Sequence, residues 1–274
     1  PSSMVAPCPL LHQMRLYKDS FEINRIKEAS QITAEAHELA RKSVLPGMNE
    51  RQLQGLIEQH FLEKGARGPA YHSIVAGGDN ACVLHYTANN STLIDGDLVL
   101  IDAGCSLIDY YNGDITRTFP VNGKFSSEQK ALYEIVLAAQ QTAIDSITYG
   151  QTAEGVHDSA LAVLVEGLID LGLLVGKVDS VIEQGTYRHL YMHRTGHWLG
   201  LDVHDCGEYK VNGRWREFEP GMVLTVEPGI YIPEEGFGIR IEDDVVTQEK
   251  GPPINLMKNI PKEPDEIEHL MNQD

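Results

Sequence analysis

The spacing of apolar residues predicts two helices in the first part of the chain. Across residues 19–44 the apolar positions recur three apart, as one face of a helix requires, at Ile23, Ile26, Ala29 and Ile32. The Pro-Gly pair at 46–47 ends this helix. A second helix is predicted to begin after Asn49, with Gln52 three residues on as its capping-box partner, and to end at Gly65.

Short apolar runs separated by turn residues then predict strands, in YHSIVAGGDNACVLHY, GDLVLIDAG and GDITRTFPVNG. The same order returns in the second half. Ser126 and Gln129 open one predicted helix, Thr152 caps another that ends near Gly172, and the strand-like runs GMVLTVEPGIYI and GFGIRIEDDVVTQ follow. A helix-helix-strands unit used twice predicts an α+β fold in which two related halves share one sheet, with the helices on its outer face.

The two ends of the chain lack this pattern. The first residues, PSSMVAPCPLLHQ, contain three prolines and no helical or strand period, so we expect residues 1–15 to be a flexible lead or an artificial extension. Residues 16–250 are expected to form one folded domain. The acidic stretch KEPDEIEHLMNQD predicts that residues 251–274 form a solvated C-terminal tail.

Charge and cysteine usage narrow the function class. The formal net charge of -18 repels nucleic acid and anionic lipid, so neither is an expected partner. No apolar run approaches the roughly 18 residues that a membrane span needs. The four cysteines form neither a CxxC pair nor a dense framework, which favours a reducing cytoplasm; they are Cys8, Cys82, Cys105 and Cys206.

Three histidines lie within twelve positions in MHRTGHWLGLDVHD, residues 192–205. His193 and His197 are four apart, as in helical zinc sites, but Arg194 stands where those sites have a glutamate base. The apolar residues after His197 alternate like a strand, at Leu199, Leu201 and Val203. In a continuous strand His197 and His204 would face opposite sides. We therefore expect one histidine ligand and two substrate-side histidines.

Four carboxylates at the ends of apolar runs are the other candidate ligands: Asp102, Asp114, Glu227 and Glu242. Each alone is more often a turn cap, but a buried carboxylate is costly unless it is paired or binds metal. With one imidazole the set carries a charge of about -4, which two divalent ions would cancel. Oxygen-rich ligands without thiolate favour manganese, with cobalt, iron and zinc as alternatives.

Together these motifs resemble the proline peptidases, the aminopeptidase P and prolidase group of dinuclear metallopeptidases. The resemblance runs from about Leu16 to Thr247 through IDAG, GDITRTFPVNGKF, HRTGHWLGLDVHD, TVEPGIY and GIRIEDD, in that order. It implies the pita-bread (creatinase/aminopeptidase) fold, with two pseudo-symmetric halves that form one curved antiparallel sheet. Residues 16–250 would then be the catalytic domain.

The resemblance also implies metal ligands, position by position. Asp102 would bind one ion and His197 and Glu227 the other, while Asp114 and Glu242 would bridge the two. Asp102 and Asp114 are twelve positions apart where we expect eleven, so the connecting hairpin is expected to hold one extra residue.

Catalytic and supporting residues follow from the same resemblance. Glu227 matches a proton carrier beside a hydroxide that bridges the ions. Residues that match substrate-holding and charge-stabilising histidines are His85, His193 and His204. Tyr231 and Arg240 match neighbours that order this shell.

The reaction implied is removal of an N-terminal residue that precedes proline, so the expected partners are peptides with proline at the second position; a homo-oligomer is left open. Alternatives are an Xaa-Pro dipeptidase (prolidase), a methionine aminopeptidase and a non-catalytic binding module of the same fold. We expect tripeptides to be preferred over dipeptides, because a dipeptide carboxylate needs a cation. Arg240, the only motif arginine expected near the site, would already be engaged.

Overall fold

A computed structural model describes residues 7–273, which form seven helices and twelve short strands. The helices are α1 (Cys8–Leu16), α2 (Ser20–Ser43), α3 (Glu50–Glu63), α4 (Ser127–Ser146), α5 (Ala153–Asp170), α6 (Val178–Gln184) and α7 (Pro264–Met271). The strands are β1 (Gly68–Pro69), β2 (Ile74–Gly77), β3 (Leu98–Asp102), β4 (Cys105–Ser106), β5 (Thr116–Pro120), β6 (Lys210–Val211), β7 (Arg214–Trp215), β8 (Val223–Val226), β9 (Gly229–Ile232), β10 (Phe237–Arg240), β11 (Asp243–Val246) and β12 (Ile254–Asn255).

The four long helices begin where local capping chemistry predicts. Capping boxes at Asn49 and Ser126 start α3 and α4, as expected, and Asp19 forms a third with Glu22 at the start of α2. The hydroxyl of Thr152 accepts the Gly155 N–H at 3.2 Å and starts α5. These bonds satisfy N–H groups that the first helical turn leaves without partners, so the predicted starts are confirmed.

All strand pairs are antiparallel, and the two main sheets have three strands each, in the orders β2-β3-β5 and β12-β11-β8. The β9-β10 hairpin forms a separate pair, and β10 contacts β3 and β5 of the first sheet. The halves join through the Glu242 N–H, which donates to Thr116 O at 3.1 Å, and through Arg240 and Thr118, which exchange two bonds. Side-chain bonds thus replace part of the ladder where the halves meet.

One continuous apolar core connects the two halves. Helices α2 and α3 pack against each other, with α3 on β2 and α2 on β4; in the second half α4 and α5 pack against each other, and α4 contacts β8, β9 and β10. Side chains fully removed from solvent come from each of these helices, for example Ile26, Ile57, Val136 and Leu164. Burying each such side chain contributes roughly 1.5–3 kcal/mol, which fixes the sheets relative to one another.

The predicted flexible lead is wrong for residues 8–15, which belong to α1; residues 1–6 lie outside the described part. Two of the prolines that argued against a helix, Pro7 and Pro9, stand at its N-cap and first turn, where a missing N–H costs nothing. Leu16 is fully buried.

The predicted solvated tail is also wrong. The side chain of Ile267 in α7 is buried, and Glu268 accepts the Phe125 N–H at 2.8 Å. The hydroxyl of Tyr133 donates to Lys262 O at 3.0 Å. The C-terminal segment therefore packs on α4, because its apolar positions form one helical face although its composition is acidic.

Within residues 7–273, no helix combines the length and the apolar character that crossing a bilayer requires.

Candidate active site

A cavity of about 1170 Å³ opens where the two halves meet. It is lined by nine of the ten residues that the sequence singled out: His85, Asp102, Asp114, His193, His197, His204, Glu227, Arg240 and Glu242. The tenth, Tyr231, is fully buried behind the wall. Residues far apart in sequence thus converge on one surface.

Strand register places the four carboxylates. Asp102 is the last residue of β3 and pairs with Thr116, the first residue of β5. Asp114 lies two residues before Thr116, just outside the paired strands. In the second half Val226 pairs with Asp243, which puts Glu227 and Glu242 side by side at the ends of β8 and β11. Each half therefore contributes two carboxylates.

The segment that carries His197 runs against the edge of β8. The His197 N–H donates to Thr225 Oγ1 at 3.1 Å, and the Thr225 N–H donates to His197 O at 2.9 Å. A Cβ at Gly196 would lie 2.0 Å from Thr225 O, so only glycine allows this approach. The glycine of HRTGH therefore allows His197 to lie beside Glu227.

The imidazole of His197 faces the carboxylates through Nε2. Its Nδ1–H donates to Trp198 O at 3.0 Å, which leaves Nε2 3.4 Å from Asp114 Oδ2 and 3.6 Å from Glu227 Oε1. Ligand atoms of Asp114, His197 and Glu242 all lie within 4.8 Å of one another. A carbonyl that fixes the tautomer of a histidine is typical of metal sites.

The electrostatics of the cluster call for positive charge. Burial alone would lower the pKa of His197, but Asp114 and Glu227 raise it to about 9. Burial raises the pKa of Glu227 to about 7 and, with Asp114 nearby, that of Glu242 well above its ordinary value. The imidazolium proton stands where a cation would bind. Oxygen ligands with one nitrogen fit hard or borderline divalent ions, so the residues fit the metal pair that the sequence predicts.

A chain of hydrogen bonds behind the carboxylates begins at Arg240. Its guanidinium donates to Asp102 Oδ2 at 2.6 Å and to the hydroxyl of Tyr231 at 2.9 Å. Nδ1 of His193 donates to Arg194 O, so Nε2 accepts from Tyr231 at 2.8 Å. Burial lowers the pKa of His193 to about 4, which keeps the ring neutral. Both nitrogens of His193 are thus used within the protein, and its ring presents a surface to the cavity.

Two polar residues in the site were missed from the sequence. The hydroxyl of Tyr71 contacts both Asp102 and Asp114, and Thr116 Oγ1 donates to Glu242 Oε2 at 2.7 Å while accepting from Arg240 Nε at 3.1 Å. Thr116 lies in GDITRTFP, two residues after Asp114, where it could have been noticed. The position of Tyr71 ahead of β2 gives no comparable signal.

The predicted continuous strand after His197 is wrong. Residues 200–204 form bends, in which the Gly200 N–H donates to Asp202 O at 3.1 Å, and the Asp205 N–H returns to Trp198 O at 2.9 Å. As a result the ring centroids of His197 and His204 are 4.2 Å apart on the same side. The opposite-face argument therefore fails, and only the turn explains why both rings reach the cavity.

Arg240 is also not the only motif arginine near the site. Arg194 lines the cavity, where it forms an ion pair with Glu154 and lies 5.5 Å over the ring of Trp215. Arg240 itself is engaged by Asp102, Tyr231 and Thr116, as expected.

Comparison with known proteins agrees with this geometry. Residues 24–249 match the profile of metallopeptidase family M24. The Xaa-Pro aminopeptidase of Haemophilus influenzae is 50% identical over 272 residues, which are 96% of this chain and 63% of that protein. Xaa-Pro aminopeptidase 1 of Streptomyces coelicolor is 39% identical over 275 residues, with 95% and 55% covered.

Solved structures give the same result. Aminopeptidase PepP of Pseudomonas aeruginosa superimposes with a TM-score of 0.95 at 50% identity, covering 97% of this chain and 62% of that one. Proline aminopeptidase P II of Yersinia pestis gives 0.95 at 48% identity, with 99% and 64% covered. The predicted pita-bread fold is confirmed. The chain spans about 55% to 64% of the length of these four proteins.

Proposed function

The chain belongs to metallopeptidase family M24, and on that premise we propose that it hydrolyses the peptide bond between an N-terminal residue and a following proline, with two divalent ions, manganese by preference. The observation that carries the proposal is the convergence of five ligands on one cavity wall: Asp102, Asp114, His197, Glu227 and Glu242. The relatives named Xaa-Pro aminopeptidase support the choice of substrate.

The ligand assignment is the one that the resemblance implies, and burial supports it. Asp114 and Glu242 are the most deeply buried carboxylates of the set, at 3% and 1% exposed, which suits bridging residues. Asp102 would hold one ion, and His197 with Glu227 the other. When bound, the ions would supply Lewis-acid polarisation of the scissile carbonyl and would lower the pKa of a water molecule.

Glu227 is the residue that would move the proton. Burial raises the pKa of Glu227 to about 7 in the metal-free protein; with the ions bound the carboxylate would be ionised, and one of its oxygens would take a proton from water and give it up again. The Xaa-Pro bond has no N–H, and its nitrogen must be protonated as proline leaves. Glu227 lines the cavity beside His197, within reach of both events.

His204 and His85 would act on the substrate. Burial lowers the pKa of His204, so its neutral ring offers one N–H as a donor to the carbonyl oxygen on which charge develops. His85 lines the cavity from the segment after β2 and would hold the peptide. His193 would contribute ring contact, since its nitrogens are engaged.

The test is digestion of matched peptides with manganese added. An Xaa-Pro-Yaa tripeptide should be cleaved, its Xaa-Ala-Yaa counterpart should not, and the metal-free protein should be inactive. The Xaa-Pro dipeptide and its amide complete the set, because Arg194 is paired with Glu154 and Arg240 with Asp102. We expect kcat/KM to favour the tripeptide over the dipeptide.

Each alternative has its own outcome in this assay. Preference for the dipeptide would reassign the chain to a prolidase, and removal of methionine from a Met-Ala-Yaa peptide to a methionine aminopeptidase. Inactivity with manganese, cobalt, iron and zinc would favour a binding module. Location in a reducing cytoplasm and assembly into a homo-oligomer stay predictions.

A further inference from the structure

A buried ion pair outside the cavity holds the turn that carries His204. Nζ of Lys18, in the junction between α1 and α2, lies 2.9 Å from Oδ2 of Asp205, and each side chain is only 1% exposed. Removing two charges from water is costly and contributes little net stability, so an interaction of this kind is kept more readily for specificity of structure than for stability. The structure that this pair specifies is the turn that carries His204.

Asp205 is bonded on every side. Its Oδ1 contacts Arg15, whose guanidinium also reaches Asp202 Oδ2 at 2.7 Å, so the first and last acids of the turn 202–205 share one arginine. The Lys18 N–H donates to Gly221 O at 2.8 Å, which ties the junction to the start of β8. The turn is therefore held against the same element that positions Glu227.

Packing around the pair leaves no room for adjustment. A Cβ at Gly200 would lie 2.3 Å from Asp205 Oδ2 and 2.9 Å from Lys18 Cε. The carbonyl of Gly200 accepts from both the N–H and Nδ2 of Asn112, at 3.1 and 2.9 Å. The chain at Gly200 is thus pressed between Asn112 and the Lys18–Asp205 pair.

The pair meets the metal ligand at one carbonyl group. Trp198 O accepts the Asp205 N–H at 2.9 Å and the His197 Nδ1–H at 3.0 Å. Asp205 is next to His204, whose ring lies 4.2 Å from that of His197. A shift of Asp205 would therefore move His204 relative to His197, whose own bond to Trp198 O does not depend on Asp205.

We propose that the Lys18–Asp205 pair is a positioning device, which sets His204 against His197 so that the His204 ring can donate to the substrate carbonyl beside the predicted metal site. The catalytic part of this inference rests on the proposed function. Lys18 and Asp205 touch no substrate; they act through the turn. Arg15, 30% exposed, closes the device from the solvent side.

The deciding variant removes both charges together. Lys18→Met/Asp205→Leu leaves no stranded charge, because Arg15 retains Asp202. Asp205→Asn, which keeps the size and one acceptor, is the second variant if the first fails to fold. Arg41→Met is the control. Arg41 lies in α2 and, like Lys18, is a buried cation, 5% exposed and paired with Glu38, but it lines no part of the cavity.

A crystal structure of the variant decides the geometric part whether or not the chain cleaves Xaa-Pro bonds. We expect the separation of the His197 and His204 rings to increase by about 1 Å, a displacement that can cost 100-fold in rate. An unchanged separation of 4.2 Å would overturn the inference. Arg41→Met should leave the two rings in place.

Kinetics decide the catalytic part. With the tripeptide we expect kcat to fall about 10- to 100-fold with little change in KM, at a metal content equal to wild type. In a His204→Ala background the same double change should lower kcat by less than about threefold, because the pair acts through His204. An equal loss in both backgrounds overturns the inference. A wild-type chain that cleaves no Xaa-Pro peptide overturns the proposed function instead. The separation of the His197 and His204 rings then tests the role of the Lys18–Asp205 pair.

Discussion

The hydroxyl of Tyr71 lies 2.6 Å from Oδ1 of Asp102, and it also contacts a carboxylate oxygen of Asp114. One phenol thus spans a residue predicted to bind one ion and a residue predicted to bridge both. Burial and the two carboxylates raise the pKa of Tyr71 well above its ordinary value, so the hydroxyl keeps its proton and remains a donor. Tyr71 therefore contacts both predicted ligands without carrying charge of its own.

Replacing Tyr71 by phenylalanine should weaken metal binding. Loss of a hydrogen bond to a metal ligand typically costs about 10- to 100-fold in affinity or activity. The measurement is a manganese titration of Tyr71→Phe, with Tyr149→Phe, an exposed tyrosine 61% open to solvent, as the control. Manganese affinity equal to wild type would show that the hydroxyl does not orient the ligands.

Two divalent ions should bind per chain, and Asp114→Ala or Glu242→Ala should abolish activity, because each carboxylate is expected to serve both ions. Elemental analysis of protein purified with manganese should approach two ions for the wild type and fall clearly below two for either variant. A wild-type content near zero ions per chain, with no recovery of activity on adding metal, would contradict a dinuclear site.

His204→Ala should keep the metal and lose turnover. The loss of one donor to a developing oxyanion typically costs about 100- to 1000-fold in kcat. His197→Ala should instead lose metal, since its Nε2 faces Asp114 and Glu227. Metal content and kcat of the two variants are compared at one manganese concentration; equal metal loss in both would place His204 among the ligands.

Glu227 should make the metal-free protein sensitive to pH. Its folded pKa of about 7 lies above its ordinary value of 4.5, so its contribution to stability is complete below about pH 4.5 and is lost as the pH rises through 7. Relative to Glu227→Gln, the Tm of the metal-free wild type should therefore fall across this window. Added manganese should reverse the trend, because the ions favour the ionised carboxylate.

Comparison of the two proteins removes the titrating groups that lie away from Glu227, so the difference reports Glu227 together with His197 and Glu242, whose pKa values it raises. Burial lowers the pKa of His37 and of His157 to about 4, so each affects acid unfolding in both proteins alike and cancels in the difference. A Tm difference that stays constant from pH 4.5 to 7 would contradict the prediction.

The sequence by itself determined what depends on neighbours along the chain. Helix starts at Asn49 and Ser126 follow from capping boxes, whose two partners are three positions apart. The ends of β3 and β8 follow from apolar runs. Buried acids at the ends of such runs have to be paired or bound to metal, and this made Asp102 and Glu227 candidates together with Asp114 and Glu242. These features were predictable because the physics that sets them acts over a few residues.

Only the tertiary structure decided how distant segments meet. Alternation after His197 suggested a strand, but Lys18, 187 positions before Asp205, fixes a turn there instead and places His204 beside His197. The convergence of Tyr71 on Asp102 leaves no periodic mark either. A buried ion pair or a side-chain hydrogen bond between remote residues depends on the folded geometry, and local spacing carries no trace of it.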